Sequence, residues 1–319
     1  MTTDRTSWSR PSLGLDRPNV ARMYDYFLGG AHNYSVDREA ADAVIAVAPE
    51  VVTAARANRA FLRRAVQYAL DRGIHQFLDL GSGIPTAGNV HGIAHRTDPT
   101  AHVVYADADP VAVAHATGLL HSTPTAGMIH ADIRDADEIL NHPETRRLID
   151  FDQPTALLAV SVLHFIPGDI ADITAAYRER ASPRSLLVIS HASSTAVTSQ
   201  TAEVQRLYQR TSTPIQLRTP EEILAAFTGL DLVHPDPSSA KTDDQPHLVP
   251  ITEWRPDNTR TELPQHVADS PFLSGFLAGA GCKPPPASTP GPAHRRATNR
   301  AAIHNRTQRG VPERAGATR

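Results

Sequence analysis

Three carboxylates at the ends of three short apolar runs are the residues in this chain best suited to chemistry. Phe77-Leu78-Asp79-Leu80 runs straight into Gly81-Ser82-Gly83. His102-Val103-Val104-Tyr105-Ala106 ends on Asp107, followed by Ala108, and Met128-Ile129-His130-Ala131 ends on Asp132, followed by Ile133. An apolar strand that turns on glycine into a helix is how an open α/β sheet presents a crevice to a nucleoside-containing ligand. The glycines let the backbone approach where a Cβ would collide. A dinucleotide fingerprint would carry a third glycine where this chain has Thr86, with Pro85 before it. Asp79, two residues before the first glycine, disfavours a pyrophosphate and favours a ligand bearing an ammonium group.

At a strand end the two oxygens of Asp107 can each accept from a ribose hydroxyl, in charge-assisted bonds of roughly 1.5–3 kcal/mol each. Asp132 can accept from an adenine amine while Ile133 packs on the ring. Ser161, at the end of a fourth apolar run, and His164 just beyond it belong to the same edge. His164 is a base candidate by position, although a histidine beside an apolar run is more often structural. The plainer readings are an ordinary tight turn at Gly81–Gly83, helix capping by Asp107 or Asp109, and a solvent-facing Asp132. Arg22, Arg59, Arg63 and Arg64 read as anion-binding residues or as solvated helix faces.

The elements that must position these residues are legible as periodicity. Val20, Met23, Tyr24, Phe27 and Leu28 share a helical face, broken by Gly29-Gly30. A second helix is expected after Ser35. A third, over 50–72, places Val51, Ala55, Leu62, Val66 and Leu70 on one side, with Gly73 as its C-terminal stop. Strands are then predicted near 75–80, 102–106, 127–131, 155–161 and 185–190. Helices are predicted near 86–96, 110–121, 136–149, 169–181 and 200–212. A sixth strand is expected at 230–234 and a last one at 272–281. Asp109-Pro110 marks one helix start, and Thr219-Pro220-Glu221-Glu222 marks another as a capping box. The unbroken apolar runs 156–160 and 186–189 suit strands buried on both faces of a mostly parallel sheet.

Bulk properties narrow the function classes. The 319 residues are 40% hydrophobic with a net charge of -3, so no overall basic charge points to nucleic acid. Residues 284–319 are the exception, with seven arginines and one acid after a proline-rich stretch. That composition reads as a disordered basic tail, able to touch phosphates non-specifically. The single cysteine, Cys282, excludes an internal disulfide framework and a cysteine-based zinc site, and no metal site is expected. No stretch approaches the length of a membrane span. The first residues lack the apolar core of a secretory signal, so a cytoplasmic protein is expected. Nothing in the sequence fixes an oligomeric state.

The segments D-L-G-S-G-I-P-T, V-V-Y-A-D-A-D-P, H-A-D-I-R-D and V-L-H-F-I-P together resemble the class I S-adenosylmethionine-dependent methyltransferases. More closely, with A-R-M-Y-D-Y-F-L-G-G-A-H-N-Y, A-A-R-A-N-R-A-F-L-R-R-A-V and T-A-G-N-V-H, the chain resembles an actinobacterial S-adenosyl methyltransferase family, formerly a domain of unknown function. The resemblance covers about residues 18–283. It implies an α/β fold: a doubly wound, mostly parallel, seven-stranded Rossmann-like methyltransferase sheet with an N-terminal helical cap. It divides the chain into a flexible start (1–17), the cap (18–72), the cofactor-binding methyltransferase domain (73–283) and the tail (284–319).

The resemblance further implies S-adenosyl-L-methionine as cofactor. Asp79, Gly81, Ser82 and Gly83 would hold the methionine moiety, Asp107 the ribose, and Asp132 and Ile133 the adenine, with Ala108 and Ser161 alongside. Tyr24, Tyr26, Asn33 and Tyr34 flank Gly29-Gly30. They read either as a lid turning an aromatic face to the sulfonium or as ordinary helix packing. The expected function is methyl transfer to a small molecule, with no membrane partner. Two alternatives compete: a cofactor-binding module without transferase activity, and a nicotinamide-dependent oxidoreductase, which the missing third glycine and Asp79 disfavour.

Overall fold

Alternating strand and helix patterns become an eight-stranded sheet with helices on both faces. The computed structural model describes residues 15–85, 88–195, 198–236, 247–256 and 270–286. By its contacts the chain divides into Met1–Pro285 and Pro286–Arg319, and the sheet and its helices belong to the first of these units. The expectations for residues 1–14 and for the tail beyond 286 lie outside the described residues.

The chain opens with helices α1 (Val20–Phe27), α2 (Ser35–Val47) and α3 (Glu50–Leu70). The alternating part continues as β1 (Gln76–Leu80), α4 (Val90–Ala94), β2 (His102–Asp107), α5 (Pro110–Leu120), β3 (Ala126–His130), α6 (Ala136–Asn141), α7 (Pro143–Leu148) and β4 (Ala156–Val160). A 3-10 turn at Leu163–Phe165 leads to α8 (Ile170–Arg180), β5 (Leu186–Ala192), α9 (Ser199–Tyr208), α10 (Pro220–Ala225) and the short strands β6 (Asp231–Leu232) and β7 (Val249–Pro250). One helical turn, α11 (Pro271–Ser274), precedes β8 (Phe276–Cys282).

The strand order is β3-β2-β1-β4-β5-β8-β6, seven strands in line, and the two-residue β7 pairs with β8 beside that path. β1 to β5 are mutually parallel. β8 runs antiparallel to β5, β6 and β7. The chain steps outward from β1 to β3, then returns to place β4 on the other side of β1. At that reversal the loops leaving β1 and β4 diverge to opposite faces and leave a crevice at the carboxyl edge. Asp79, Asp107, Asp132, Ser161 and His164 all lie at or near that edge.

Local chemistry explains where elements fall short of the expected spans. The helix expected near 86–96 is reduced to α4, because Gly88 adopts φ +60° and the Asn89 side chain caps the start by accepting from Gly92 N–H. The helix expected over 136–149 is two helices. Pro143 has no N–H to donate and opens α7, while His142 before it is extended at ψ 142°. The strand expected over 272–281 starts at Phe276. Asp109 and Thr219 cap α5 and α10 as their sequences predict.

α3 buries Val51, Ala55, Leu62, Val66 and Leu70 as the periodicity predicts. Two of the arginines read from the sequence are not solvated faces. Arg64 is buried and donates to the carbonyls of Trp254 and Ile251, tying 251–254 to the helix, where Trp254 meets Phe61 and Tyr68 edge-on. Arg22 is 1% exposed. Its Nε donates to Asp37 Oδ2 at 2.8 Å and its guanidinium lies 3.6 Å from Asp109 Oδ1. One buried cation thus joins α1 to α2 and to the start of α5.

Removing that cation leaves two carboxylates buried without their counter-charge. Arg22→Leu is expected to lower unfolding free energy by about 3–5 kcal/mol. Urea denaturation at neutral pH measures it, and a loss under about 1 kcal/mol would mean the pair does not hold the cap.

Candidate functional site

The glycine turn after β1 is fastened to the end of β2 by three successive amides. Gly81 N–H and Ser82 N–H donate to the Ala106 carbonyl, at 2.8 and 3.2 Å. Gly83 N–H donates to Asp107 Oδ2 at 2.7 Å. Asp107 Oδ1 accepts from Asp109 N–H at 2.8 Å. Each carboxylate oxygen therefore has one amide, which fixes its plane. Burial raises the Asp107 pKa while these amides lower it. Gly81 has φ +68° and Gly83 φ +61°. A Cβ on Gly81 would overlap Val162, so glycine is required there by the closeness of the β4 edge as well as by its backbone angle.

Asp79 lies beneath this turn, 6% exposed. Burial pushes its pKa up to about 7, with Arg59 opposing and Asp107 adding to the rise. Among the described residues nothing hydrogen-bonds to its side chain. A buried carboxyl without a bonding partner is uncommon in a purely structural role. Asp132 accepts from Arg134 on both its oxygens, at 3.0 and 2.6 Å. That guanidinium holds its carboxyl below the usual range. Ile133 is buried behind it, its carbonyl held by the Tyr177 hydroxyl at 2.7 Å. Ser161 follows β4 with φ +60°, in the left-handed region that costs a non-glycine residue about 1–2 kcal/mol.

These residues border one cavity of about 570 Å³. Gly81, Ser82, Gly83, Asp107, Ala108, Asp132, Ile133, Ser161, His164 and Tyr24 are on its wall, and Asp79 is not. That volume lies in the range of small-molecule sites. Asn33 is not on the wall. Its amide donates to Asp25 Oδ2 and to the Gly30 carbonyl, so it shapes the loop behind α1. Tyr26 bonds Asp42 at the surface, and Tyr34 is exposed. Of the four residues read as a lid, only Tyr24 reaches the cavity. Its hydroxyl donates to the Ala55 carbonyl and accepts from Asn58, whose own carbonyl accepts from Ser190 on β5 at 2.6 Å.

His164 is 2% exposed, and burial holds its pKa well below the usual range, with His191 and Arg218 adding to the drop. Its Nδ1 accepts from Ala192 N–H at 3.3 Å, which leaves the ring proton on Nε2. His191 is also neutral, pushed down to about 4 mainly by burial. It gives its Nδ1 proton to the Ala192 carbonyl and takes Arg218 on Nε2. Arg218 further donates to the carbonyls of Leu163, Ile166 and Gly168, pinning the turn that carries His164. His164 is thus arranged as a proton donor, with the lone pair a base would use already engaged.

Sequence reading missed Asn58, His191, Tyr208 and Arg218. Asn58 carried a signal, a polar residue on the buried side of an otherwise apolar helix. Arg218 carried none, since its acceptors are backbone carbonyls far away in sequence.

A family model for S-adenosyl methyltransferases matches residues 6–283. None of the curated proteins compared matches the chain in sequence. Among solved structures, it is similar to a Thermobifida fusca YX protein provisionally designated a methyltransferase, at 36% identity and a TM-score of 0.75, over 88% of this chain and 100% of that one. It is equally similar in fold to a DUF574 family protein from Streptomyces avermitilis MA-4680, at 32% identity and a TM-score of 0.75, over 85% of this chain and 100% of that one. With the sheet order, the glycine turn and the cavity at its edge, these matches establish that the chain belongs to the S-adenosyl methyltransferase family and works as an S-adenosylmethionine-dependent methyltransferase.

Proposed function

We propose that the methyl acceptor is a small molecule held in the same cavity as the cofactor, and that the sequence-derived contacts divide the cofactor among three strand ends. In this reading Asp79 and the 81–83 turn take the methionine end, Asp107 the ribose, and Asp132 with Ile133 the adenine. The observation that carries it is one cavity of about 570 Å³ whose wall includes both the glycine turn and the aromatic Tyr24 and Phe27 of α1. A volume of that order suits two small molecules side by side. Among the described residues no helix is long and apolar enough to cross a membrane. The alternatives of a non-catalytic binding module and a nicotinamide-dependent oxidoreductase are not favoured by the family match.

The residues fit the cofactor chemically. Asp79 is a buried carboxyl without a hydrogen-bond partner among the described residues, suited to an ammonium group. Asp107 is held in plane by two amides, with the remaining lone pair on each oxygen left for a diol. When bound, S-adenosylmethionine supplies a methyl group made electrophilic by its sulfonium. The task left to the chain is positioning and the exclusion of water. Tyr24, fixed by Ala55 and Asn58, supports the roof of the cavity, and the pinned 163–168 turn supports its far wall.

With methyl-labelled S-adenosylmethionine and cell extract, label should enter the small-molecule ultrafiltrate. Label confined to precipitated protein or nucleic acid would refute a small-molecule acceptor. Asp107→Ala should weaken S-adenosylhomocysteine binding by about tenfold or more. Asp107→Asn should lose nearly as much, because an amide offers one acceptor oxygen where two N–H groups and a diol must be met. Calorimetry that finds either variant unchanged removes Asp107 from the site.

Affinity should also depend on pH. Burial pushes the Asp79 pKa up to about 7, so below that pH it holds a proton that a ligand ammonium must displace. S-adenosylhomocysteine affinity should therefore rise from about pH 6 to about pH 8, with proton release on binding. Calorimetry in buffers of different ionisation enthalpy reads that release directly. Asp79→Asn should abolish both the slope and the release, and a variant that keeps them would place the titrating group elsewhere.

A further inference from the structure

The cavity has two chemically different halves. Every charged residue on its wall belongs to α1, to α3 or to the ends of β2 and β3 and the loops leaving them. The half formed by the 3-10 turn, α9, residues 212–217 and the α11–β8 segment contributes none. Its strand support, β5, stands two places from β1 in the sheet, roughly 10 Å away. That is beyond the residues assigned to the cofactor.

This uncharged half is aromatic. Phe165 and Tyr208 have ring centroids 5.7 Å apart, tilted by 37°, and Phe276 meets His164 edge-on at 6.1 Å. The polar groups that face it are uncharged, Ser193, Gln205, Ser212 and Thr213 among them. The Nε2–H of His164 and the hydroxyl of Tyr208 have no hydrogen-bond partner among the described residues, although the two side chains are 2% and 7% exposed. Both side chains line the cavity, where these donors are available to a ligand. Neither group is a base. The free lone pair of His164 is taken by Ala192 N–H, and burial pushes the Tyr208 hydroxyl up, so it keeps its proton.

We infer that this half binds a neutral, planar aromatic acceptor bearing a nucleophilic nitrogen, packed against Phe165, Tyr208 and Phe276 and hydrogen-bonded by the Tyr208 hydroxyl or His164 Nε2–H. The inference rests on the proposed cofactor placement. A charged acceptor would be desolvated here with no counter-charge on the wall itself, which costs several kcal/mol. A neutral nitrogen needs no protein base. Its lone pair forms the N–CH3 bond as the CH3–S bond breaks, and the bonding pair returns to sulfur to leave S-adenosylhomocysteine. An amine then releases its N–H proton to water.

The test is calorimetry on the full chain saturated with S-adenosylhomocysteine, with aminoquinoline as neutral probe and naphthoate as its anionic counterpart. Aminoquinoline should bind and naphthoate should not. Tyr208→Phe should weaken aminoquinoline about three- to tenfold, and Phe165→Ala about tenfold or more. Both variants should hold S-adenosylhomocysteine within about twofold of the parent. Tighter naphthoate binding, no aminoquinoline binding by a chain that binds S-adenosylhomocysteine, or affinities indifferent to both substitutions would overturn the acceptor assignment alone. Failure of S-adenosylhomocysteine itself to bind would overturn the cofactor placement and this inference with it.

Discussion

The hydrogen bond from Gly83 N–H to the Asp107 carboxylate is the interaction on which the site depends. It closes the glycine turn onto the neighbouring strand and, with Asp109 N–H on the other oxygen, sets the carboxylate plane before any ligand arrives. Two strand ends thereby become one rigid wall. The requirement propagates outward. The turn must have left-handed backbone at 81 and 83, and Val162 sits so close to Gly81 that β4 tolerates no side chain there. Site geometry is thus decided by backbone amides, whose positions the parallel pairing of β1 with β2 already fixes.

The helical cap is joined to this wall by polar contacts as well as by apolar packing. Arg22 spans α1, α2 and the cap of α5. The run Ser190–Asn58–Tyr24–Ala55 links β5, α3 and α1. Buried polar links of this kind specify one docking geometry because any other leaves a donor or charge unsatisfied. On the far side Arg218 performs the same service for the turn carrying His164, through neutral acceptors only. The cavity therefore has a charged half close to the cap's ionic contacts and an uncharged half walled by aromatic rings, and this division follows from which elements contribute each wall.

Much of this was legible in the sequence because it depends on local signals. Apolar runs ending in Asp79, Asp107 and Asp132 marked the strand ends that form the site edge, and Asp109-Pro110 and Thr219-Pro220 marked helix starts that the structure repeats. Asp107 and Asp132 do border one cavity, and Asp79 does not. The misreadings have a common cause, which is contact between residues distant along the chain. Asn33 looked like a lid residue because it follows two glycines, yet it serves the Asp25 carboxylate. Arg22 and Arg64 read as anion-binding residues or as solvated helix faces, and only tertiary packing shows their acceptors. His164 was a weak base candidate by position, and the Ala192 amide occupies the lone pair that a base would use. Pro143 dividing one helix into two is the exception, since proline announces that locally.

A crystal structure with S-adenosylhomocysteine tests the central claim most directly. The account predicts both ribose hydroxyls on the Asp107 oxygens, the Gly83 amide still donating to the same carboxylate, and the adenine beside Ile133. A nucleoside bound away from Asp107, or a carboxylate that must swing off Gly83 to reach it, would contradict the account.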